Sequence, residues 1–234
     1  VILIKIILAH LLGDFFLQPN SWIKNKQEKK WKSPWLWVHS LVHFLLVMIL
    51  LWDLSVWPVA LIIAGTHLII DGIKLTFQGE ETQTRWFTID QLAHLSVLLL
   101  VWVFYWENTK IQVQADVIWI ILTGVLFLTY PSAFIMQRIM QQWSDQFESN
   151  DDGTLRGAGT YIGILERLFI IIAILTSNLS VIGFLLAAKS VFRFGDLSRS
   201  EDRKLTEYIL IGTLLSFLIA ILTGMVLLWC LRTF

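Results

Sequence analysis

The sequence predicts an all-α polytopic membrane protein: a bundle of about eight transmembrane helices, the first four forming a duplicated helical-hairpin four-helix bundle. Three observations predict it. Of 234 residues, 56% are apolar and only 15% charged, with a mean hydropathy of +0.68, far from the balance of a water-solvated surface. Eight stretches approach the roughly 20 apolar residues that a helix needs to cross about 30 Å of hydrocarbon. The first four of them repeat a pattern of His and Asp at a spacing of four residues.

In chain order the segments fall at about 1–18, 35–57, 58–76, 86–106, 116–136, 159–177, 179–196 and 205–231. The first has the length of a secretory signal, but it contains His10 and Asp14 and lacks a small-residue cleavage site before the polar loop, so it reads as a retained helix. The loop after it holds Lys24, Lys26, Lys29, Lys30 and Lys32, which the positive-inside rule assigns to the cytoplasmic side. Alternation adds Lys74, Arg85, Arg138, Arg156, Arg199, Arg203 and Lys204 to that side and leaves Lys110 and Arg232 outside. Both termini are then expected outside a bacterial cytoplasmic membrane. The connection at about 137–158 reads as an amphipathic helix followed by a polar, Gly-containing loop. It divides the chain into a four-helix part at 1–106, a fifth helix with its connection at 107–158, and a three-helix part at 159–234.

Eighteen basic and eighteen acidic residues cancel, so no net field points to nucleic acid. Cys230 is the single cysteine, which excludes an intrachain disulfide and any Cys-rich metal site. Metal chemistry, if present, falls to histidine.

All five histidines lie in the first 94 residues, each four positions from another His or an Asp: His10 and Asp14, His39 and His43, His67 and Asp71, Asp90 and His94. Residues four apart share a helix face, so each of four helices offers two side chains to one point. WLWVHSLVHFLLV aligns without gaps on WFTIDQLAHLSVL, and HLLGD pairs with HLIID. The first two helices thus look duplicated as the next two, in the same orientation, related by a pseudo-two-fold axis along the membrane normal. Counted at 1.5 Å per residue, all eight side chains lie roughly 6–12 Å into the cytoplasmic leaflet. The plainer alternative is interhelical hydrogen bonding at about 0.6–2 kcal/mol per pair. Three buried aspartates argue against it, because unpaired carboxylates in hydrocarbon are several kcal/mol uphill while divalent cations offset them directly. Five imidazoles and three carboxylates suit zinc first, then manganese or iron. Gln18, one turn beyond Asp14, is a candidate supporting or substrate contact, or else anchors the loop before Pro19.

The second half carries Glu166, Arg167, Lys189, Arg193, Asp196 and Glu207 toward the cytoplasmic side. Lys189 and Arg193, four apart, could clamp a phosphate or other anionic headgroup. Alternatively Glu166 neutralises Lys189, and Arg193 pairs with Asp196 or Glu207.

On the segments AHLLGDFFLQP, HSLVH, DQLAH, YIGILERL, GFLLAAKSVFRFGDL and DRKLTEYILIGTLLSF, the chain resembles a bacterial membrane family known as domain of unknown function 3307. HLLGDFFLQP is also similar to the His-x-x-Gly-Asp motif, followed by Gln-Pro, of zinc-dependent phospholipases C and single-strand nucleases. That resemblance implies zinc ligation by His10 and Asp14 and cleavage of phosphoesters. His-x-x-x-Asp on a membrane helix resembles the zinc sites of cation-diffusion transporters as well. The expectation is therefore a membrane-embedded, dinuclear metal hydrolase that acts from the cytoplasmic side on a phosphoester or similar bond of an anionic lipidic substrate. Its rivals are a zinc or manganese transporter and a non-enzymatic scaffold or sensor, and oligomeric state stays open. No nucleotide fingerprint, phosphate-cradling loop or Ser-nucleophile motif is present.

Overall fold

The computed structural model describes residues 1–106, 117–144, 157–191 and 200–233, and every regular element among them is helical. The helices are α1 (Ile2–Phe15), α2 (Asn20–Lys29), α3 (Pro34–Leu51), α4 (Trp57–Phe77), α5 (Gln83–Val101), α6 (Val117–Phe127), α7 (Tyr130–Ser144), α8 (Ala158–Leu175), α9 (Ser180–Val191) and α10 (Ser200–Thr233). They divide into two units, Val1–Trp119 and Ile120–Phe234.

Among the described residues six spans are long and apolar enough to cross a membrane: α3, Leu54–Phe77, Gln83–Tyr105, Val117–Ser144, α8 and Lys204–Thr233. Two expected segments are not among these spans. α1 has fourteen residues and meets α2 at a bend of 80°. Pro19, which lacks an N–H and sits in extended backbone, opens α2 after that bend. Of the expected segment at 179–196, α9 accounts for the part through Val191, and the rest lies outside the described residues. Among the described residues the eight expected segments thus become six membrane-length spans, one bent pair and the apolar helix α9.

In the first unit α1 packs on α3, α3 on α4, α4 on α5 and α5 back on α1, closing a four-helix ring. α3 turns a mixed polar and apolar face inward and an apolar face outward. Leu36, Ser40, His43 and Val47 are buried, whereas Trp37, Leu41, Leu45 and Ile49 lie outside, Trp37 57% and Ile49 58% exposed. An outer stripe more hydrophobic than the inner one suits lipid as the solvent. Inside, Ile6, Ala9, Val47, Val56, Val59, Ala60, Ile63 and Leu98 form an apolar core across all four helices. Pro34 and Pro58 stand in the first turns of α3 and α4, where a missing N–H costs nothing. A π-helical turn, Trp102–Trp106, extends α5.

The helical run from Val117 to Ser144 is broken at Leu128–Thr129, inside the second unit and just before Pro131. Pro131 cannot supply the helical hydrogen bond to the preceding turn. Arg167 of α8, buried, supplies donors beside this break: Nε to the Leu128 carbonyl at 2.8 Å, Nη2 to the Thr129 carbonyl at 3.4 Å and Nη1 to Ser216 Oγ of α10 at 3.1 Å. Gly124 and Gly224 let α6, α8 and α10 approach, since a Cβ at either would lie 2.6 Å from Leu227 or Ile174. Arg167→Met is expected to strip the Leu128 carbonyl and Ser216 of a donor, while Thr129 keeps the Ala133 N–H and the Ser132 hydroxyl, and to destabilise the second unit by about 3 kcal/mol, read as a lowered thermal midpoint in detergent.

Candidate metal centre

Spacing by four builds the site in layers. Ile6, His10 and Asp14 succeed one another along α1; Val47, His43 and His39 run back along α3. Ile63, His67 and Asp71 follow along α4, and Leu98, His94 and Asp90 run back along α5. Antiparallel neighbours therefore stack an apolar layer (Ile6, Val47, Ile63, Leu98), a layer of four histidines, and a layer holding Asp14, His39, Asp71 and Asp90. Asp14 is partly exposed; the other seven polar groups of the two layers are buried.

The eight side chains converge. Asp14 Oδ1 lies 3.0 Å from His43 Nε2, 3.2 Å from His39 Nε2 and 3.4 Å from His67 Nε2, and its Oδ2 is 3.9 Å from His10 Nε2. His39 Nε2 and His67 Nε2 face each other at 3.2 Å. His67 stacks between His43, with ring centroids 3.8 Å apart, and His94, at 3.9 Å. Asp71 Oδ2 lies 3.9 Å from His39 Nε2, and Asp90 Oδ2 lies 3.8 Å from His94 Nδ1. A cavity of about 10 Å³, room for roughly one water, opens among His10, His43, His67 and His94 beneath the apolar layer.

These distances suit shared coordination. Two atoms bound tetrahedrally to one ion at about 2.1 Å lie about 3.4 Å apart. Three groups have all their ligand atoms within 4.8 Å of one another: His10, Asp14, His43 and His67; His39, His67 and Asp71; and Asp71, Asp90 and His94. His67 belongs to two of them and Asp71 to two. His39 Nδ1, Asp90 Oδ1 and both ring nitrogens of His94 are buried without a hydrogen-bond partner. Native interiors rarely leave such atoms unmet, and a divalent cation would satisfy Asp90 and His94 together.

Four residues join the site that the pattern of His and Asp does not announce. Gln91 donates Nε2 to Asp14 Oδ2 at 3.0 Å and to Asp90 Oδ2 at 3.2 Å, and its Oε1 lies 3.3 Å from His10 Nε2, so it ties α5 to α1. Lys26 of α2 donates to Asp71 Oδ2 at 2.8 Å and is buried. Lys74, three residues after Asp71, donates to Asp90 Oδ2 at 2.8 Å and lies 3.9 Å from Asp71 Oδ1. Gly13 faces the His43 ring so closely that a Cβ there would overlap it. Gly13→Ala is expected to turn that ring and weaken metal binding by about tenfold or more. Gly65→Ala on α4, with nothing within 4 Å of its Cβ, should leave binding unchanged in the same metal titration.

Other sequence candidates fall elsewhere. Gln18 lies in the turn before α2 and makes no hydrogen bond to the cluster among the described residues. Lys189 donates to Glu166 Oε2 at 2.7 Å within the second unit, so its charge is matched there. Arg193 and Asp196 lie outside the described residues.

No curated protein and no solved structure matches the chain. One family does, over residues 2–122, a stretch that covers more than half of the sequence and contains every member of the histidine and aspartate cluster together with Gln91, Lys26 and Lys74. The chain belongs to the family described as "Protein of unknown function (DUF3307)".

Proposed function

We propose that the protein is a membrane-embedded, metal-dependent hydrolase with a dinuclear centre, zinc its preferred metal, acting from the cytoplasmic side on a phosphoester or similar bond of a lipidic substrate. The observation that carries the reading is Asp71, whose carboxylate belongs to two neighbouring ligand groups, while His67, also in two groups, can serve one ion at a time. Shared ligands hold two ions close enough to act on one scissile group, whereas a transported ion needs a site that fills and empties singly. Divalent ions held by these residues would supply Lewis-acid polarisation of a phosphoryl oxygen and a water of lowered pKa. The chain's own groups do the rest: Gln91 holds Asp14 and orients His10, and the apolar layer above the histidines excludes bulk water from one side.

The duplication of α1 and α3 as α4 and α5 fits this reading, because it sets His10 opposite His67 and His43 opposite His94 at one level. The similarity of HLLGDFFLQP to the zinc phosphoesterase motif adds chemical analogy at His10 and Asp14. The basic loop after α1 supports a cytoplasmic position for the lysine side of the site.

The test uses purified zinc- or manganese-loaded protein against a panel of phospholipids and polyprenyl phosphates. Metal-dependent release of a headgroup or phosphate, abolished by a chelator, is the expected result. A metal-loaded protein that cleaves none of them, yet carries zinc or manganese into proteoliposomes, is a transporter.

A further inference from the structure

We propose that Lys26 and Lys74 form the anion-receiving side of this centre, where one tetrahedral oxyanion, the phosphoryl group of a phosphoester, is held against the metal ligands. The inference rests on the metal reading above and names what the site takes.

Placement comes first. α2 turns 80° away from α1 and leaves Lys24 and Lys29 exposed, yet the Lys26 side chain points inward and is only 6% exposed. A lysine so buried needs a fixed partner, and Asp71 is one. Lys74 reaches the same carboxylate from α4 while bonding Asp90, with 23% of its side chain exposed. Both ammonium groups therefore meet at Asp71, one enclosed and one at the open edge.

Charge then decides the ligand. Asp14, Asp71 and Asp90 against Lys26 and Lys74 leave one net negative charge, with the histidines neutral as ligands. Two divalent ions would bring the site to three positive charges in surroundings of low dielectric. Such an excess is costly unless an anion enters. Asp71 and Asp90 are at once metal-ligand candidates and the partners of the two lysines, so coordination draws the carboxylate charge toward the ions and leaves both ammonium groups under-neutralised beside them. An oxyanion has enough acceptor oxygens to meet metal and ammonium together. A site for cation cargo would carry the opposite balance, because these lysines compete with the cargo for its carboxylates.

The experiment measures binding of inorganic phosphate to zinc-loaded protein in neutral detergent by titration calorimetry, with metal content determined on the same samples. Lys26→Gln and Lys74→Gln remove the charge but keep a donor for the aspartates. Wild-type protein is expected to bind phosphate only when metal-loaded. Each variant should bind it about tenfold or more weakly with metal content retained, since charge-assisted hydrogen bonds are the strong ones. A short-chain phosphatidic acid that displaces the phosphate identifies a lipid headgroup as the source, and failure to displace it identifies a free phosphate compound. Metal-loaded wild-type protein that binds no phosphate overturns the inference without recourse to a variant. Undiminished phosphate binding in a metal-loaded variant overturns it too, and leaves the metal centre standing. Wild-type protein that takes up no metal retires both.

Discussion

Asp14→Ala protein is expected to lose at least about a hundredfold in affinity for zinc, the largest effect of any single substitution in the cluster. Asp14 Oδ1 is the one atom within 3.4 Å of three imidazole nitrogens from two other helices, and Oδ2 accepts from Gln91. A supporting group alone is worth about ten- to a hundredfold, and Asp14 is both carboxylate ligand and the point on which His39, His43 and His67 are aligned. Competitive titration against a chromophoric chelator reads the affinity. Asp14→Asn keeps the size and one acceptor oxygen, so it should fall between wild type and alanine. Equal affinity in all three would remove Asp14 from the ligand set.

The second large effect is on stability. Asp71→Ala strands Lys26, which is buried and has Asp71 as its partner at 2.8 Å. Breaking a buried pair by deleting one member costs about 3–5 kcal/mol, most of it the penalty of an uncompensated charge. The variant is expected to unfold at markedly lower temperature in detergent and to lose metal as well. Lys26→Met combined with Asp71→Leu should recover most of the stability and none of the metal, because it removes both charges while leaving two of the three ligand groups without a carboxylate they share. If the double substitution is no more stable than Asp71→Ala alone, Lys26 is not the charge that Asp71 neutralises.

Periodicity explains why the core of the site is legible in sequence. Residues four apart on one helix stay on one face, so HLLGD, HSLVH, HLIID and DQLAH already fix which side chains face inward together. The layers of apolar, histidine and mixed His/Asp residues are that arithmetic continued one turn either way. Contacts between helices leave no such trace. Lys26 sits among four other lysines that serve equally well as a topological signal, and nothing in the loop distinguishes the one that points inward. Gln91 aligns in sequence with Ser40, whose hydroxyl bonds the Ala64 carbonyl, so that alignment hides its reach to α1. Lys74, one turn from Asp71, did carry a signal in its spacing.

Helix ends follow the same division. The bend after Phe15 has Pro19 to mark it, where the apolar run gives way to a polar stretch, and Pro131 marks the break at Leu128–Thr129, which a single segment at 116–136 reads straight through. Hydropathy averages over a window and is blind to so short an interruption. Arg167 shows the converse. Its charge in a membrane helix flags a partner, yet the partners are backbone carbonyls at that interruption rather than the neighbouring acid, Glu166, which Lys189 neutralises.

The central claim is that the layered histidines and aspartates of the first unit hold metal. Elemental analysis of monodisperse, detergent-purified protein, reconstituted with zinc and freed of excess by gel filtration, tests it most directly. Two equivalents of zinc per chain, falling to one or fewer in Asp71→Asn, is the result predicted from the shared ligand groups. Folded protein that emerges with no stoichiometric zinc, manganese or iron under any reconstitution would contradict it.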